Sequence, residues 1–334
     1  MKKVAINGFG RIGRAFFRIS FGKGDLDIVA INDPFISPEQ ARYLLMYDSV
    51  YHRYDKKVEI KDGNLVVNGV TIPLLQEKDP KDLPWGKLGI DVVIESTGKF
   101  LTREKASLHL AGGAKKVLLS APAKDADIPQ IVYGVNTDAY DKAKDLIISA
   151  ASCTTNSLAP VAYVLEKEFG IAHALMSTVH GYTADQKIVD APHGKFTRGR
   201  TAAANIVPTT TGAATATTKV IPSLAGKMDG MAFRVPVPTG SVTDFTAVMK
   251  VDVDPEKIEK AMRDYSTGRK GNLKGILDVA NDPIVSSDIV GETHACVFDP
   301  SWTKVIDKRL VKVVTFYDNE WGYTNQLVRV ATDF

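Results

Sequence analysis

Disulfide chemistry has little to work with in this chain. Its 334 residues include two cysteines, Cys153 and Cys296, enough for one bridge at most and no stapled framework. No second Cys or His stands close to Cys153, and His294 and Cys296 lie far along the chain without a C-x-x-C pair, so no zinc or other metal site is expected. Long apolar runs are missing too: nothing approaches the roughly 18 consecutive residues a membrane-crossing helix needs. Charge of one sign is also lacking. A net +3, evenly spread, gives no footprint for nucleic acid or an anionic membrane. Repeats and low-complexity tracts are absent. The opening MKKVAINGFG enters a strand-like run at once, with no secretory or transit pattern, so a cytoplasmic location is expected.

What is there is enough chain for two domains. In the first half, short apolar β-rich runs at 2–8, 26–33, 90–98, 115–122, 130–135 and 145–151 alternate with amphipathic stretches at 11–21, 42–46 and 103–111. Such strands imply a parallel sheet covered on both faces. The segment 56–75 differs, alternating around DGN and NG turns, and predicts a small antiparallel excursion. Beyond about residue 152, long partly alternating strands at 172–183, 231–251 and 308–318, with a helical run at 255–265, predict an α+β domain on a mainly antiparallel sheet. The expected fold class is therefore α/β, a Rossmann-type parallel-sheet domain joined to an α+β domain with a mainly antiparallel sheet. The segment 319–334 predicts a final amphipathic helix.

INGFGRIGR places Gly8, Gly10 and Gly13 between the first strand and the first helix. In that spacing glycines serve a tight turn, close backbone approach to a pyrophosphate, and close helix–strand packing. Asp33, at the end of the second strand, stands where an acid grips the ribose hydroxyls and repels a 2′-phosphate, favouring NAD over NADP.

Cys153, in SAASCTTNS, follows a strand and precedes a helical pattern that contains Pro160, so the helix either bends there or starts later. At a helix N-terminus the dipole and free amides would lower a thiol pKa, although a packed small residue is the plainer role for a free Cys. His180 closes the strand at 171–180 and, paired with Cys153, could draw off the thiol proton to leave a nucleophile. Thr209–Thr211 with Gly212 precede an Ala-rich helix, Arg198 and Arg200 lie in a Gly-rich loop, and Arg234 sits among apolar strand residues. Together these suit a carbonyl substrate that carries phosphate.

The segments INGFGRIGR, IND, ESTG, SAP, ASCTTN, HGYTADQ, RTAAANIVPTTTGAATA, RVPVPTGSV and YDNEWGY cover nearly the whole length. On them the sequence resembles the phosphorylating glyceraldehyde-3-phosphate dehydrogenase family, which is glycolytic and uses NAD. The resemblance implies that Cys153 forms a hemithioacetal and then a thioester, with His180 as base. It implies a site for attacking phosphate at Ser152, Thr154, Thr211, Gly212 and Arg234, and one for the substrate's phosphate at Thr183, Arg198 and Arg234. For NAD it implies Arg11, Ile12, Asp33, Lys78, Ser120 and Asn319, with Tyr323 near the nicotinamide. It further implies a nucleotide domain of 1–152 completed by 319–334, a catalytic domain of 153–318, and a homotetramer with an S-shaped loop at 181–206. Departures from the family pattern are Ser157 for a second Cys, Tyr51-His52 for His-Gly, Pro34 for a frequent Leu, and Ala191 for another. Erythrose-4-phosphate dehydrogenase is the alternative within the class, and a non-enzymatic nucleotide- or RNA-binding protein the alternative outside it.

Overall fold

The first strand, β1 (Lys2–Asn7), is buried from Val4 onward, as expected of a strand covered on both faces. The computed structural model describes all 334 residues, and the chain forms two compact units. The first comprises Met1–Ile131, Thr137–Ala151 and Leu327–Phe334; the second comprises Val132–Asn136 and Ser152–Gln326.

In the first unit, β1 is followed by α1 (Arg11–Ser20), β2 (Leu26–Asn32) and α2 (Pro38–Met46). The short strands β3 (Val58–Lys61), β4 (Asn64–Val67) and β5 (Val70–Ile72) form an antiparallel sheet of their own. Its turns are Asp62-Gly63 and Asn68-Gly69, all four residues at positive φ, the geometry that tight hairpins demand. Then come β6 (Leu74–Leu75), α3 (Trp85–Leu88), β7 (Val92–Glu95), α4 (Arg103–Ala111), β8 (Lys116–Leu119) and β9 (Ile147–Ser149). The parallel sheet runs β6-β2-β1-β7-β8-β9. The strand order reverses direction between β1 and β7, and that switch point opens a crevice at the strands' carboxyl ends. Ala5, Ala30, Trp85, Ile90 and Val93 pack one apolar cluster; Ala106, Val117, Leu119 and Ile147 pack another.

Three expectations from the first half of the chain need correction. Leu74 and Leu75 leave the antiparallel excursion and pair in parallel with Ile31 and Asn32. Residues 130–135 are not a strand beyond the single bridge Gln130–Ser149. The chain turns there instead, with Val135 N and Asn136 N both donating to Val132 O and Asn136 Oδ1 accepting from Val132 N. Helix α2 starts at Pro38 rather than 42, because Ser37 and Gln40 form a capping box and proline suits the first helical position.

The second unit begins with α5 (Cys153–Phe169) and β10 (Ile171–Gly181), then β11 (Val207–Thr210), α6 (Ala213–Val220), β12 (Met228–Val235) and β13 (Ser241–Met249). It continues through α7 (Pro255–Ser266), β14 (Leu277–Val279), β15 (Cys296–Ile306), β16 (Leu310–Tyr317) and α8 (Trp321–Asp333), whose later residues count with the first unit. Seven strands make one sheet, β11-β12-β10-β13-β16-β15-β14, antiparallel except at β10–β12 and β14–β15. Helix α5 does start at Cys153, with Ser152 capping it through the amide of Thr155, and it continues through Pro160. Proline's missing amide forfeits one helical bond there, and eleven buried side chains of α5 hold the helix together.

The substitution at 51–52 also has a physical reading. His52 adopts φ of 59°, a left-handed conformation that glycine takes more readily. Its carbonyl accepts from Arg18 Nη1 and Nη2 at 3.2 Å each, and Tyr51 lies beneath the Arg11 guanidinium, 5.6 Å from Cζ to ring centre. Because the strain is in the backbone, His52→Gly is expected to raise stability by about 0.5–1 kcal/mol. The urea midpoint at constant slope checks this.

Candidate active site

The crevice of the first unit is a cavity of about 400 Å³ lined by Gly8, Gly10, Asn32, Asp33, Lys78 and Thr97 among others. Each glycine of the loop has a separate steric reason. Gly8 has φ of 97°, and a Cβ on it would lie 2.8 Å from Thr97 N. A Cβ on Gly13 would lie 2.1 Å from Gly8 O, so this residue lets helix and strand touch. Gly10 has open space around its Cβ position. That is where a pyrophosphate can approach, at the start of a helix with no side-chain cap and no acid in its first turn. Arg11 and Ile12 supply the next amides, while the Arg11 side chain pairs with Asp48. Asp33 projects its carboxylate into the cavity, held by Phe9 N at 2.9 Å and Phe35 N at 3.0 Å. Ser120 lies just past β8, its amide bonded to Glu95 O. These residues fit a dinucleotide.

The second unit gathers the reactive side chains. Strand register puts His180 of β10 directly beside Arg234 of β12, on one face of the sheet. Cys153, at the first turn of α5, brings Sγ to 3.4 Å from His180 Nε2. On the far side of the ring, Nδ1 lies 2.7 Å from Gly181 O and 2.9 Å from Arg234 Nη1. Tyr317, at the end of β16, packs edge-on to the imidazole, and its hydroxyl bonds Thr154 Oγ1 at 2.9 Å and Thr178 Oγ1 at 2.8 Å. Tyr317 and Thr178 escaped the sequence reading. The only signal for them was a polar tip at the end of an apolar strand.

The electrostatics differ from the expectation for a bare helix N-terminus. Burial pushes the Cys153 thiol above its ordinary value, and the charge of Arg234 and the bonds to Thr154 only partly offset it. Burial, followed by the charge of Arg234, takes His180 down to about 3. Without an anion present the pair is therefore a thiol beside a neutral imidazole.

The remaining site residues fall in distinct places. Arg234 Nη1 also reaches Thr183 Oγ1 at 3.5 Å. Arg198 is braced by Asp185, Thr209 and the carbonyl of Thr210. Gly212 caps α6, and Thr211 Oγ1 accepts from Ala213 N. Arg200 pairs with Asp190 on the surface instead. Asn319 is buried, with Oδ1 accepting from Gly240 N, Ser241 Oγ and Thr239 Oγ1, which leaves its amide nitrogen as a donor. Tyr323 is buried and its hydroxyl is pushed upward, chiefly by burial and then by the Cys153 charge. Ser157, where the family often has a second Cys, bonds Thr315 in the interior.

A dinucleotide fold in one unit, with a cysteine in contact with a histidine and an arginine beside it in the other, suits the oxidoreductase class. The comparisons with known proteins narrow the class. The model for the glyceraldehyde 3-phosphate dehydrogenase NAD binding domain matches residues 2–103, and that for the C-terminal domain of the same family matches 152–319. A glyceraldehyde-3-phosphate dehydrogenase of Streptomyces coelicolor is 52% identical over 327 residues, 98% of this chain and 96% of that protein. One of Geobacillus stearothermophilus is 50% identical over 329 residues, 98% of this chain and 97% of that protein. The chain belongs to the glyceraldehyde-3-phosphate dehydrogenase family; it is an oxidoreductase and its cofactor is NAD.

Two outcomes follow from this geometry. Gly13→Ala is expected to abolish measurable NAD binding by calorimetry, since its Cβ meets backbone rather than a side chain that can swing away. His180 binds its proton near 3 in the folded protein against about 6.5 unfolded, so the unfolded chain holds the extra proton between those values. Stability is then lost as pH falls through that window. His180→Gln should shallow the dependence there by about one proton, ~1.4 kcal/mol per pH unit, in denaturant titrations.

Proposed function

We propose that this chain converts glyceraldehyde 3-phosphate and inorganic phosphate to 1,3-bisphosphoglycerate, with Cys153 as nucleophile and His180 as its base. The observation that carries the reading is the 3.4 Å Cys153–His180 contact with Arg234 in register behind it.

When Nδ1–H donates to Gly181 O, the Nε2 lone pair faces the thiol and can take its proton. The sulfur attacks the aldehyde carbon, and His180 returns the proton to the developing alkoxide, giving a hemithioacetal. Bound NAD supplies the hydride acceptor. As hydride leaves the carbon, His180 takes the hydroxyl proton, and the product is a thioester on Cys153. Inorganic phosphate attacks the thioester carbonyl, and the thiolate departs as leaving group.

Arg234 is the group for both phosphates, with Thr183 and Arg198 toward the substrate's own, and Ser152, Thr154, Thr211 and Gly212 toward the attacking one. An anion on Arg234 offsets the charge that lowers His180, which makes the imidazole a better base when substrate is present. Ser152 and Thr154 act through their place in the first turn of α5, since their hydroxyls are engaged by Thr155 and Tyr317. The free amide of Asn319 suits a carboxamide oxygen, with Tyr323 near the nicotinamide ring.

The same reading carries a nucleotide domain of 1–152 completed by 319–334, a catalytic domain of 153–318, a homotetramer, and a cytoplasmic setting. Supporting the tetramer, the 181–206 loop exposes Ile188, Val189 and Phe196 by 80%, 70% and 89%. No helix is long and apolar enough to cross a membrane.

The test is NADH formation from glyceraldehyde 3-phosphate with phosphate supplied or omitted. Sustained turnover is expected only with phosphate, and Cys153→Ser should lose oxidation while keeping NAD affinity. Phosphate-independent turnover with erythrose 4-phosphate preferred would replace this assignment with the alternative dehydrogenase.

A further inference from the structure

Beneath the dinucleotide cavity lies a buried polar chain that the reaction does not use. Register aligns Asn32 of β2, Asn7 of β1 and Glu95 of β7 in one row across the carboxyl ends of the strands. Asn7 and Asn32 are each 2% exposed, and Glu95 and His109 are fully buried. No lysine or arginine pairs with the Glu95 carboxylate, an arrangement that needs hydrogen bonds in place of a counter-ion.

The donors can be assigned in one direction only. Indole nitrogen is a donor and never an acceptor, so Trp85 Nε1, 3.1 Å from His109 Nδ1, requires Nδ1 to carry a lone pair. The proton of His109 is then on Nε2, which donates to Glu95 Oε2 at 3.1 Å. A protonated His109 would confront the indole with a second donor, so the Glu95–His109 contact is a hydrogen bond from a neutral imidazole. Glu95 Oε2 also accepts from Asn7 Nδ2 at 2.6 Å, which turns Asn7 Oδ1 toward Asn32 Nδ2 at 2.7 Å. Asn32 Oδ1 in turn accepts from Glu77 N at 2.9 Å. The other oxygen of Glu95 takes the amide of Thr97 at 2.8 Å and its hydroxyl. Every bond in this set points, directly or in series, at one carboxylate. Asn7, Asn32, Glu77 and Thr97 all line the cavity.

We propose that Glu95 is a positioning residue for NAD, and that Trp85 serves it by holding His109 in the tautomer that donates to it. Resting on the reading of this cavity as the cofactor site, the proposal makes the carboxylate the common acceptor that fixes the amide of Thr97 and the orientation of both asparagines. Glutamine cannot substitute. Its amide group would face either the Thr97 donors or those of Asn7 and His109, and two donors would lose their acceptor whichever way it turned.

The test uses the full chain and measures affinity for NAD and for ADP-ribose by calorimetry. It also measures kcat at saturating NAD and the rate of Cys153 alkylation by iodoacetamide without NAD. Glu95→Gln is expected to weaken both ligands by about tenfold or more, leaving kcat at saturation and alkylation near wild type. Adding Asn7→Asp supplies an acceptor opposite the new amide and should recover part of the lost affinity, which a merely structural defect would not allow. If Glu95→Gln does not fold, Trp85→Phe carries the test, with a loss of about threefold or more in NAD affinity at unchanged kcat. Wild-type affinity in a folded Glu95→Gln protein overturns the proposal, as does an equal fall in alkylation, which marks general damage. Failure of the wild-type chain itself to bind NAD would instead overturn the cofactor reading.

Discussion

The 3.4 Å approach of Cys153 Sγ to His180 Nε2 is the contact on which the proposed chemistry depends, and each end of it is set by a different element. Cys153 is placed by the Ser152 cap that starts α5 at that residue. His180 is placed by the last residues of β10, where parallel pairing with β12 also delivers Arg234. Tyr317 closes the arrangement from β16, bonding Thr154 and Thr178 and packing against the imidazole edge. The thiol and base are thus held by regular elements rather than by loops, which suits a geometry that tolerates little drift.

Burial works against both groups as ions, raising the thiol and lowering the imidazole. Arg234 helps a thiolate and hinders an imidazolium, because one positive charge acts on partners of opposite preference. In the proposed reaction, a phosphate on that guanidinium would shift this balance. On that reading, substrate recognition and nucleophile activation share one electrostatic arrangement, while Arg198 is braced by Asp185, Thr209 and Thr210.

The nucleotide half was open to sequence reasoning because its constraints are local. Gly8 and Gly13 are steric requirements of one short stretch, Gly10 leaves the approach beside them open, and Asp33 follows a strand whose place comes from the alternation of elements. Errors arose where tertiary pairing competes with local pattern. Residues 130–135 have strand composition but no neighbouring strand to pair with beyond one bridge, so they turn. Leu74 and Leu75 look like the end of a hairpin, yet the edge of the parallel sheet offers them a better ladder. The expected lowering of the Cys153 thiol failed for a similar reason, since position at a helix start says nothing of how much protein covers the sulfur.

The sequence by itself determined the dinucleotide loop and the two-part architecture, and it singled out Cys153, His180 and Arg234, which the fold brings together, because backbone sterics and side-chain chemistry travel with the residue. Only the tertiary structure decided that Tyr317 and Thr178 pack and bond around that set, that Asn319 commits its oxygen to Gly240, Ser241 and Thr239, and that Glu95 lies at the convergence of a buried chain from Trp85 to Asn32. Those facts depend on strand register and burial, which bring together residues far apart in the chain and leave each hydrogen-bonding group only the partners within its reach.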